Sequence, residues 1–451
     1  MNQSFFRKPL IQSLFTEIDN SGLIVFRVIF GLLIFLESAG AIATGWVKET
    51  FVEPAFTFSF IDFEWLQPLP GNGMYFYYAV MSLFGLAVMV GWHYRVAMGG
   101  FTLMWTMSYL MQKSHYNNHY YLLILLCFLM LLIPAHRYFS LDVKRKPSLK
   151  KLTCPRWCYG IFFLQIGIVF TYASIAKLYP DWLDGTTIGI WFGYKSKLPV
   201  IGPLLAQPWI IPVVVYGGIF YDLLITPMLL WKKTRVLALI VSLFFHGFNS
   251  AVFHIGIFPY LMIGMTVLFF PPEKIRKIFL KKKPALADQP TSSPVYPKKV
   301  SLWMGIMTLY FLLQILLPLR HHLYEGNVLW TEEGHRMSWR MMLRSKSGNI
   351  YFELKDPVTK ATRKVYPSEF LSGNQVGKVA IRPDMIWQAV QYLKEQHKKD
   401  GIYPEIYVHA MVSLNGRPVK KFIDPTVNMA EVPWKPFEHA SWILPFSPTM
   451  D

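Results

Sequence analysis

The sequence predicts a polytopic α-helical membrane protein of about nine transmembrane helices, followed by an extracytoplasmic domain that is β-rich and of the α+β class. Apolar segments close to the spanning length of roughly 20 residues recur as far as Leu319. Of the 451 residues, 53% are hydrophobic and only 16% are charged, against roughly 25% charged in soluble domains. After Leu319 the sequence becomes mixed, polar and aromatic, which indicates a domain outside the membrane.

The apolar segments are oriented by the charges of the loops between them. Their predicted limits are 22–43, 74–92, 96–112, 120–134, 157–178, 209–231, 236–252, 255–271 and 300–318. Lysine and arginine crowd the N-terminus and the even-numbered connections, whereas the opposite loops hold only Lys48, Lys113, Lys195 and Lys197. This positive-inside pattern predicts a cytoplasmic N-terminus. Much of the net charge of +18 therefore comes from loops whose positive charge orients the spans. Because the charge has this explanation, no nucleic-acid partner is expected.

The odd number of predicted spans divides the chain into two parts. We expect a transmembrane catalytic domain over 1–319, with a cytoplasmic linker at 272–299, and an outer domain over 320–451. Within the outer domain, 349–355 alternates like a strand and 382–399 has the apolar spacing of a helix. Residues 405–414 and 417–423 flank Asn415-Gly416, which predicts a hairpin with a tight turn.

One lysine carries most of the functional information. Lys177 ends the apolar run 161–177. Because an ammonium group is costly inside the hydrocarbon of a membrane, we expect a lysine there to have a function. The alternative is that its long side chain snorkels to the interface and does nothing else. A lysine held in a dry site can remain neutral and act as a base.

Other polar residues gather at the same predicted depth. His115-Tyr-Asn-Asn-His119 lies where the chain re-enters the membrane from outside. His246-Gly-Phe-Asn-Ser-Ala-Val-Phe-His254 lies in the outer half of the seventh span. With Lys177, these segments predict one site facing the outer domain.

Two chemistries fit these residues. In the first, His115 with His119 and His246 with His254 form pairs on helix faces, as in a membrane di-iron oxidase. That hypothesis finds no acidic ligand within a span and gives Lys177 no role. In the second, Lys177 is an organic base beside a lipid-soluble cofactor, and no metal is expected. We expect His119, Asn117, Asn118, His246 and Asn249 to be hydrogen-bonding supports around this cofactor, and Ser250 and Tyr172 are further candidates for binding it.

These residues resemble motifs of the vitamin K-dependent gamma-carboxylase family, whose membrane part is of the HTTM type. The likeness runs through Ser114-His-Tyr-Asn-Asn-His119 and Ala176-Lys-Leu-Tyr-Pro-Asp-Trp-Leu-Asp-Gly185. It continues through Phe244-Phe-His-Gly-Phe-Asn-Ser250 and, outside the membrane, through Met337-Ser-Trp-Arg-Met-Met342. A fifth match runs from Phe422-Ile-Asp-Pro425 to Trp442.

The resemblance implies a γ-glutamyl carboxylase, a carbon–carbon lyase coupled to vitamin K epoxidation. Reduced vitamin K (phylloquinol or menaquinol) would bind among the spans, and Lys177 would deprotonate it. Reaction with O2 would give the epoxide and a base that takes the γ-proton of a peptide glutamate, and CO2 would be added. His119 would orient the lysine or stabilise a developing oxyanion. The implied partners are a glutamate-containing peptide or protein, membrane lipid and quinone.

The chain also departs from animal members of that family. It has Ala176 where they carry a second lysine, and it stops shortly after Trp442 where they continue. These differences favour a bacterial homologue in the inner membrane, with its outer domain in the periplasm and menaquinol as the native quinol. Two other functions remain open: a quinol epoxidase without glutamyl carboxylation, and a non-catalytic quinone- or lipid-binding protein.

Overall fold

The computed structural model describes residues 9–253, 255–286, 296 and 299–446. Its first part consists of helices with short strands and turns between them. The principal helices are α1 (Pro9–Phe15), α2 (Ser21–Ala43), α3 (Gly73–Val90), α4 (Tyr94–Met111), α5 (Asn118–Leu132), α6 (Leu141–Arg145), α7 (Trp157–Ile175), α8 (Pro180–Leu183), α9 (Thr186–Lys195), α10 (Gly202–Leu205), α11 (Ile210–Leu230), α12 (Arg235–Phe253), α13 (Phe258–Met265), α14 (Pro272–Phe279) and α15 (Val300–Leu316).

Six of these helices are long and apolar enough to cross a membrane. They are α2, α3, α7, α11, α12 and α15, the last continuing as a 3₁₀ turn to Leu323. The predicted spans 96–112, 120–134 and 255–271 are also helical, as α4, α5 and α13. Helix α4 begins at Tyr94 and contains Arg95, and the other two spans belong to shorter apolar helices. A membrane protein of several helices is therefore confirmed, whereas the count of nine spans stays a prediction.

Glycines allow the first two long helices to pack closely. A Cβ on Gly31 of α2 would lie 2.3 Å from the backbone nitrogen of Met89, and one on Gly85 of α3 would lie 2.7 Å from that of Phe35. Small residues at such crossings let helix backbones approach in a bilayer. At the N-terminal end of α2, β1 (Glu17–Asp19) pairs antiparallel with β2 (Thr153–Pro155).

The C-terminal part contains an antiparallel four-stranded sheet with the order β4-β3-β5-β6. Its strands are β3 (Lys346–Lys355), β4 (Thr362–Val365), β5 (Glu405–Leu414) and β6 (Lys420–Lys421), and its helices are α16 (Val328–Thr331), α17 (Gly373–Val379) and α18 (Pro383–Lys399). The apolar side of α18, including Ile386, Val390 and Leu393, is buried in the same core as the sheet.

The local predictions for this part are confirmed. The predicted strand lies within β3, and the predicted helix is α18. Asn415 and Gly416 have φ values of 51° and 74°, as a tight hairpin turn requires. The return strand is shorter than expected: β6 consists of Lys420 and Lys421, and Phe422 donates one further backbone hydrogen bond to Ala410 of β5.

Candidate functional site

Lys177 lies just past the C-terminal end of α7 and is buried. Its Nζ forms an ion pair with the carboxylate of Asp222 on α11 and donates to the carbonyl of Ala173 at 3.2 Å. The lysine is 8% exposed and the aspartate 5%. The Trp182 ring lies 5.5 Å from Nζ, within cation–π range. The Lys177 side chain is thus held by protein groups. A lysine that only snorkels to the interface would not need these contacts.

Asp222 is the functional candidate that the sequence reasoning missed. It lies near the middle of Ile210–Leu230, an apolar helix that is long enough to span. The principle that singled out Lys177, an ionisable residue within a span, applies equally to this aspartate. The sequence analysis considered acidic residues in the spans only as metal ligands beside the histidines and therefore passed over Asp222.

Gly218 leaves room for the lysine on the facing helix. It precedes Asp222 by one turn of α11, and a Cβ at this position would lie 3.8 Å from Cε of Lys177. The same Cβ would lie 3.9 Å from the Trp182 ring. A side chain larger than alanine at Gly218 would therefore press on both residues.

The loop that follows Lys177 is clamped to the C-terminal part. Tyr179 donates its hydroxyl to the carbonyl of Leu343. Asp181 accepts two hydrogen bonds from Arg417, at 2.5 and 2.7 Å, and a third from Asn415 at 2.6 Å. The hydrogen bonds from Arg417 hold the pKa of Asp181 below its usual value. This loop therefore fixes the lysine relative to the sheet domain.

His246 lies on α12, which packs against α11, and it is 1% exposed. Its Nε2 is 3.0 Å from the hydroxyl of Tyr221, which also donates to Ser242 at 3.2 Å. The other ring nitrogen, Nδ1, is buried without a hydrogen-bond partner among the described residues. Because Tyr221 and Asp222 are consecutive, one turn of α11 contacts both His246 and Lys177.

His119 joins this group through an aromatic ring. It stacks on Phe258 of α13 with the ring centres 4.1 Å apart. His246 meets the edge of the same ring at 5.7 Å. The structure thus brings His119 close to His246, whereas His119 and Lys177 make no direct contact within the described part of the chain.

The two asparagines of the His119 motif make local contacts. The Asn117 side chain caps α5 by accepting from the backbone of Tyr120 at 2.7 Å. Asn118 accepts from the hydroxyl of Tyr116 at 2.8 Å and donates to the carbonyl of Arg340 at 3.4 Å. Both residues border a cavity at the junction with the C-terminal part.

The remaining predicted cofactor residues lie further out. Ser250 forms a hydrogen bond with Tyr260 at 3.0 Å, and Asn249 is half-buried about one turn after His246. Tyr172 donates to the carbonyl of Ile315 on α15 at 2.6 Å. Their assignment to cofactor binding stays a prediction.

The metal alternative loses its geometric basis at one of the two histidine pairs. His115 belongs to a 3₁₀ turn (Lys113–His115), and α5 begins only at Asn118, so His115 and His119 do not share one helix face. The ring of His115 instead packs against Trp46 at 5.5 Å. His254 lies outside the described residues. Among the residues that the structure describes, no three His, Cys, Asp or Glu side chains form a group that could hold a metal ion.

A cavity of about 170 Å³ lies between the start of α5 and the C-terminal part. Residues 116–119 form one wall. The lining also contains four arginines: Arg336, Arg340, Arg344 and Arg382. Arg344 pairs with Glu332, whereas Arg340 makes no salt bridge within the described chain.

The four arginines make this cavity basic, although burial and mutual repulsion oppose their positive charges. Burial, reinforced by the charges of Arg336 and Arg344, lowers the pKa of Arg382 to about 10. Burial likewise lowers the pKa of His335 to about 3, so this imidazole is neutral. Burial opposes the ionisation of Glu332, but Arg344 and its neighbours hold its pKa at about 2. Arg344 pairs with Glu332 and Arg336 with Asp384, which leaves Arg340 and Arg382 without a carboxylate partner among the described residues. An anionic ligand would relieve the repulsion between these cations.

A larger groove of about 510 Å³ adjoins this cavity and shares Glu332 and Arg336 with it. Part of its wall is an ion-pair cluster in which Asp384 accepts from Arg336 at 2.5 and 3.2 Å and lies 2.7 Å from Nζ of Lys113. Lys113 precedes α5, so this cluster joins the two parts of the chain. The groove and the basic cavity therefore meet at Glu332 and Arg336.

Comparison with known families assigns the chain along nearly its whole length. Residues 15–273 match the HTTM domain, and residues 299–449 match the lumenal domain of vitamin K-dependent gamma-carboxylase. No solved structure matches the chain. The two matches cover the buried lysine, its helices and the basic cavity, and the chain belongs to the vitamin K-dependent gamma-carboxylase family.

Proposed function

We propose that this protein is a vitamin K-dependent γ-glutamyl carboxylase in which Lys177 is the base that acts on reduced vitamin K. The observation that carries the proposal is the burial of Lys177 beside Asp222. His246 of α12 is also buried and contacts Tyr221, the residue before Asp222. Family membership supplies the reaction class, and the buried amine supplies the group that the reaction needs. Lys177 and His119 are the proposed catalytic residues.

The residues present fit a quinol. The Nδ1 atom of His246 is buried and unpartnered among the described residues, so it can accept from or donate to a ligand oxygen. Phe258 and Trp182 supply flat apolar surfaces beside His119 and Lys177. Apolar helices on either side give a lipid-soluble ligand access from the bilayer.

When bound, reduced vitamin K reacts with O2 and supplies the strong base that takes the γ-proton of a glutamate before CO2 is added. In this scheme, Nζ of Lys177 accepts a hydroxyl proton. His246 positions the same ligand through Nδ1, while its Nε2 is held by Tyr221. Trp182 and the clamped loop around Tyr179 exclude water, which protects a strongly basic group from protonation.

The basic cavity favours carboxylation over quinol oxidation alone. A glutamyl side chain brings a carboxylate, and Arg340 offers a guanidinium without a carboxylate partner among the described residues. Guanidinium groups bind carboxylates through paired, charge-assisted hydrogen bonds. We propose that the glutamate enters this cavity from the adjoining groove. A bare epoxidase would have no use for an anion site here.

The placement of the chain follows from the same proposal. The loop charges support a cytoplasmic N-terminus and an outer C-terminal part. We propose that the membrane is the inner membrane of a bacterium and that the C-terminal part lies in the periplasm. We retain 1–319 as the transmembrane catalytic domain, 272–299 as its cytoplasmic linker and 320–451 as the periplasmic domain. Menaquinol would be the native quinol, with phylloquinol as an alternative substrate.

One incubation separates the candidate functions. Purified protein receives reduced vitamin K, O2, labelled CO2 and a short peptide that contains glutamate, and a matched peptide carries glutamine instead. A carboxylase forms vitamin K epoxide and labels only the glutamate peptide. Epoxide without labelled peptide would leave a quinol epoxidase, and neither product would leave a quinone- or lipid-binding protein and overturn the proposal.

A further inference from the structure

Asp222 differs from the other buried aspartates that form ion pairs in the number of groups that donate to it. Among the described residues, its carboxylate receives a hydrogen bond from Lys177 alone. Asp19 receives bonds from the Ser21 backbone at 2.7 Å, from the Ser21 hydroxyl at 2.5 Å and from Lys283. An ionised carboxylate in a dry site needs several donors, so Asp19 is well supplied and Asp222 is not.

The surroundings of the Lys177–Asp222 pair offer little further stabilisation of charge. Lys177 donates otherwise only to the carbonyl of Ala173 and lies over the Trp182 ring. The titratable groups on the elements packed around the pair are engaged elsewhere. They are Tyr172 with Ile315, Tyr221 with His246, and Asp181 with Arg417.

We propose that Lys177 and Asp222 share one proton, that the carboxyl group of Asp222 holds it at rest, and that Asp222 thereby positions a neutral amine for catalysis. An ammonium–carboxylate pair buried in apolar surroundings bears two desolvated charges, whereas an amine–carboxylic acid pair bears none. The inference rests on the proposed function, in which Lys177 must be neutral to act as a base. Asp222 acts through Lys177 and is a positioning residue.

The proton transfer then balances within the site. The O–H bond of the ligand breaks and its electron pair stays on oxygen. The one lone pair of Nζ, which accepts the hydrogen bond from the Asp222 carboxyl group at rest, gives up that hydrogen bond and forms the new N–H bond. Asp222 keeps its own proton and stays neutral, so it does not repel the negative oxygen. The new ammonium of Lys177 lies beside that oxygen, and its proton is released to water before the next turnover.

The proton on Asp222 can be observed without any activity. Infrared spectra of resting protein should contain a carboxylic acid C=O band that shifts when aspartate is labelled with ¹³C and that is lost in Asp222→Asn. Asp19→Asn is the matched control, because it also removes the acid of a buried lysine–aspartate pair, and it should keep the band. Absence of any protonated aspartate in the labelled wild-type protein would overturn the proposal even if no variant folds.

The second measurement is the pH dependence of quinol oxidation. Asparagine and a protonated Asp222 are both neutral, so under the proposal the acidic limb of kcat/KM in Asp222→Asn should stay within about half a unit of its wild-type position. Asp19→Asn should leave the limb in place. A limb that moves to lower pH by about one unit or more in Asp222→Asn would mean that wild-type Asp222 is ionised and stabilises the ammonium, and it would refute the proposal. A wild-type protein that forms no epoxide would instead refute the proposed function, while the infrared result would still decide the state of the pair.

Discussion

Asp384→Asn tests whether the ion pairs at the junction hold the two parts of the chain together. Asp384 faces Lys113 at 2.7 Å and Arg336 at 2.5 Å, and the Lys113 side chain is only 1% exposed. The substitution keeps the shape of the side chain but leaves two buried cations without their acid. Breaking a buried pair in this way costs about 3–5 kcal/mol, because the remaining charges stay desolvated.

The expected effect is measurable as a shift in thermal unfolding in detergent, followed by tryptophan fluorescence. For a domain of about 150 residues, each kcal/mol moves the midpoint by roughly 2–4 °C, so we expect a fall of about 6–20 °C. Glu438→Gln is the control, since its ion pair with Lys435 is 60–65% exposed and should contribute less than about 1 kcal/mol. Equal midpoints for the two variants would refute the reasoning.

The same pair predicts the pH dependence of stability. Burial alone would raise the pKa of Asp384, but Arg336 and Lys113 hold it well below its usual range. A carboxyl whose folded pKa is depressed contributes stability above its unfolded pKa of about 3.9 and loses it as the pH falls. The difference in midpoint between wild type and Asp384→Asn should therefore be full at neutral pH and shrink below about pH 4. A difference that stays constant down to about pH 2 would contradict this assignment.

Three further predictions concern the junction and the basic cavity. Arg340→Gln should raise KM for the glutamate peptide about 10–100-fold, which corresponds to the loss of one charge-assisted hydrogen bond. Arg363→Gln on the surface is the control and should leave KM unchanged. Equal KM values for the two variants would contradict glutamate binding in the cavity. Asp181→Asn should lower the unfolding midpoint by less than Asp384→Asn, because its partner Arg417 is 35% exposed; a larger fall would contradict this ranking. Burial lowers the pKa of Lys346 to about 7, so wild-type stability should rise from about pH 7 toward pH 10, and a Lys346→Met protein with the same slope would exclude this source.

Features encoded by neighbouring residues could be predicted from the sequence. The Asn415-Gly416 turn and the strand before it depend on local backbone preference and alternation, and both are confirmed. Lys177 stood out because one charge interrupts an apolar run. These signals need no knowledge of which helices meet.

Features that depend on tertiary contacts were missed. The Lys177–Asp222 pair joins residues 45 positions apart, and only the packing of α7 on α11 reveals it. Asn117 caps α5 after His115, which separates the two histidines that a continuous helix would have aligned. The arginine cavity is built from irregular backbone with positive φ at Met337 and Met342, a conformation that no periodicity announces.

The most direct test of the central claim is labelled CO2 incorporation into a glutamate peptide by wild type, Lys177→Ala and Lys197→Ala, with epoxide measured in the same samples. Lys197 is an exposed lysine of a predicted outer loop and serves as the control. If Lys177 is the base, Lys177→Ala protein of normal fold forms neither product above background, while Lys197→Ala matches wild type. Full epoxide formation and carboxylation by Lys177→Ala would contradict the account.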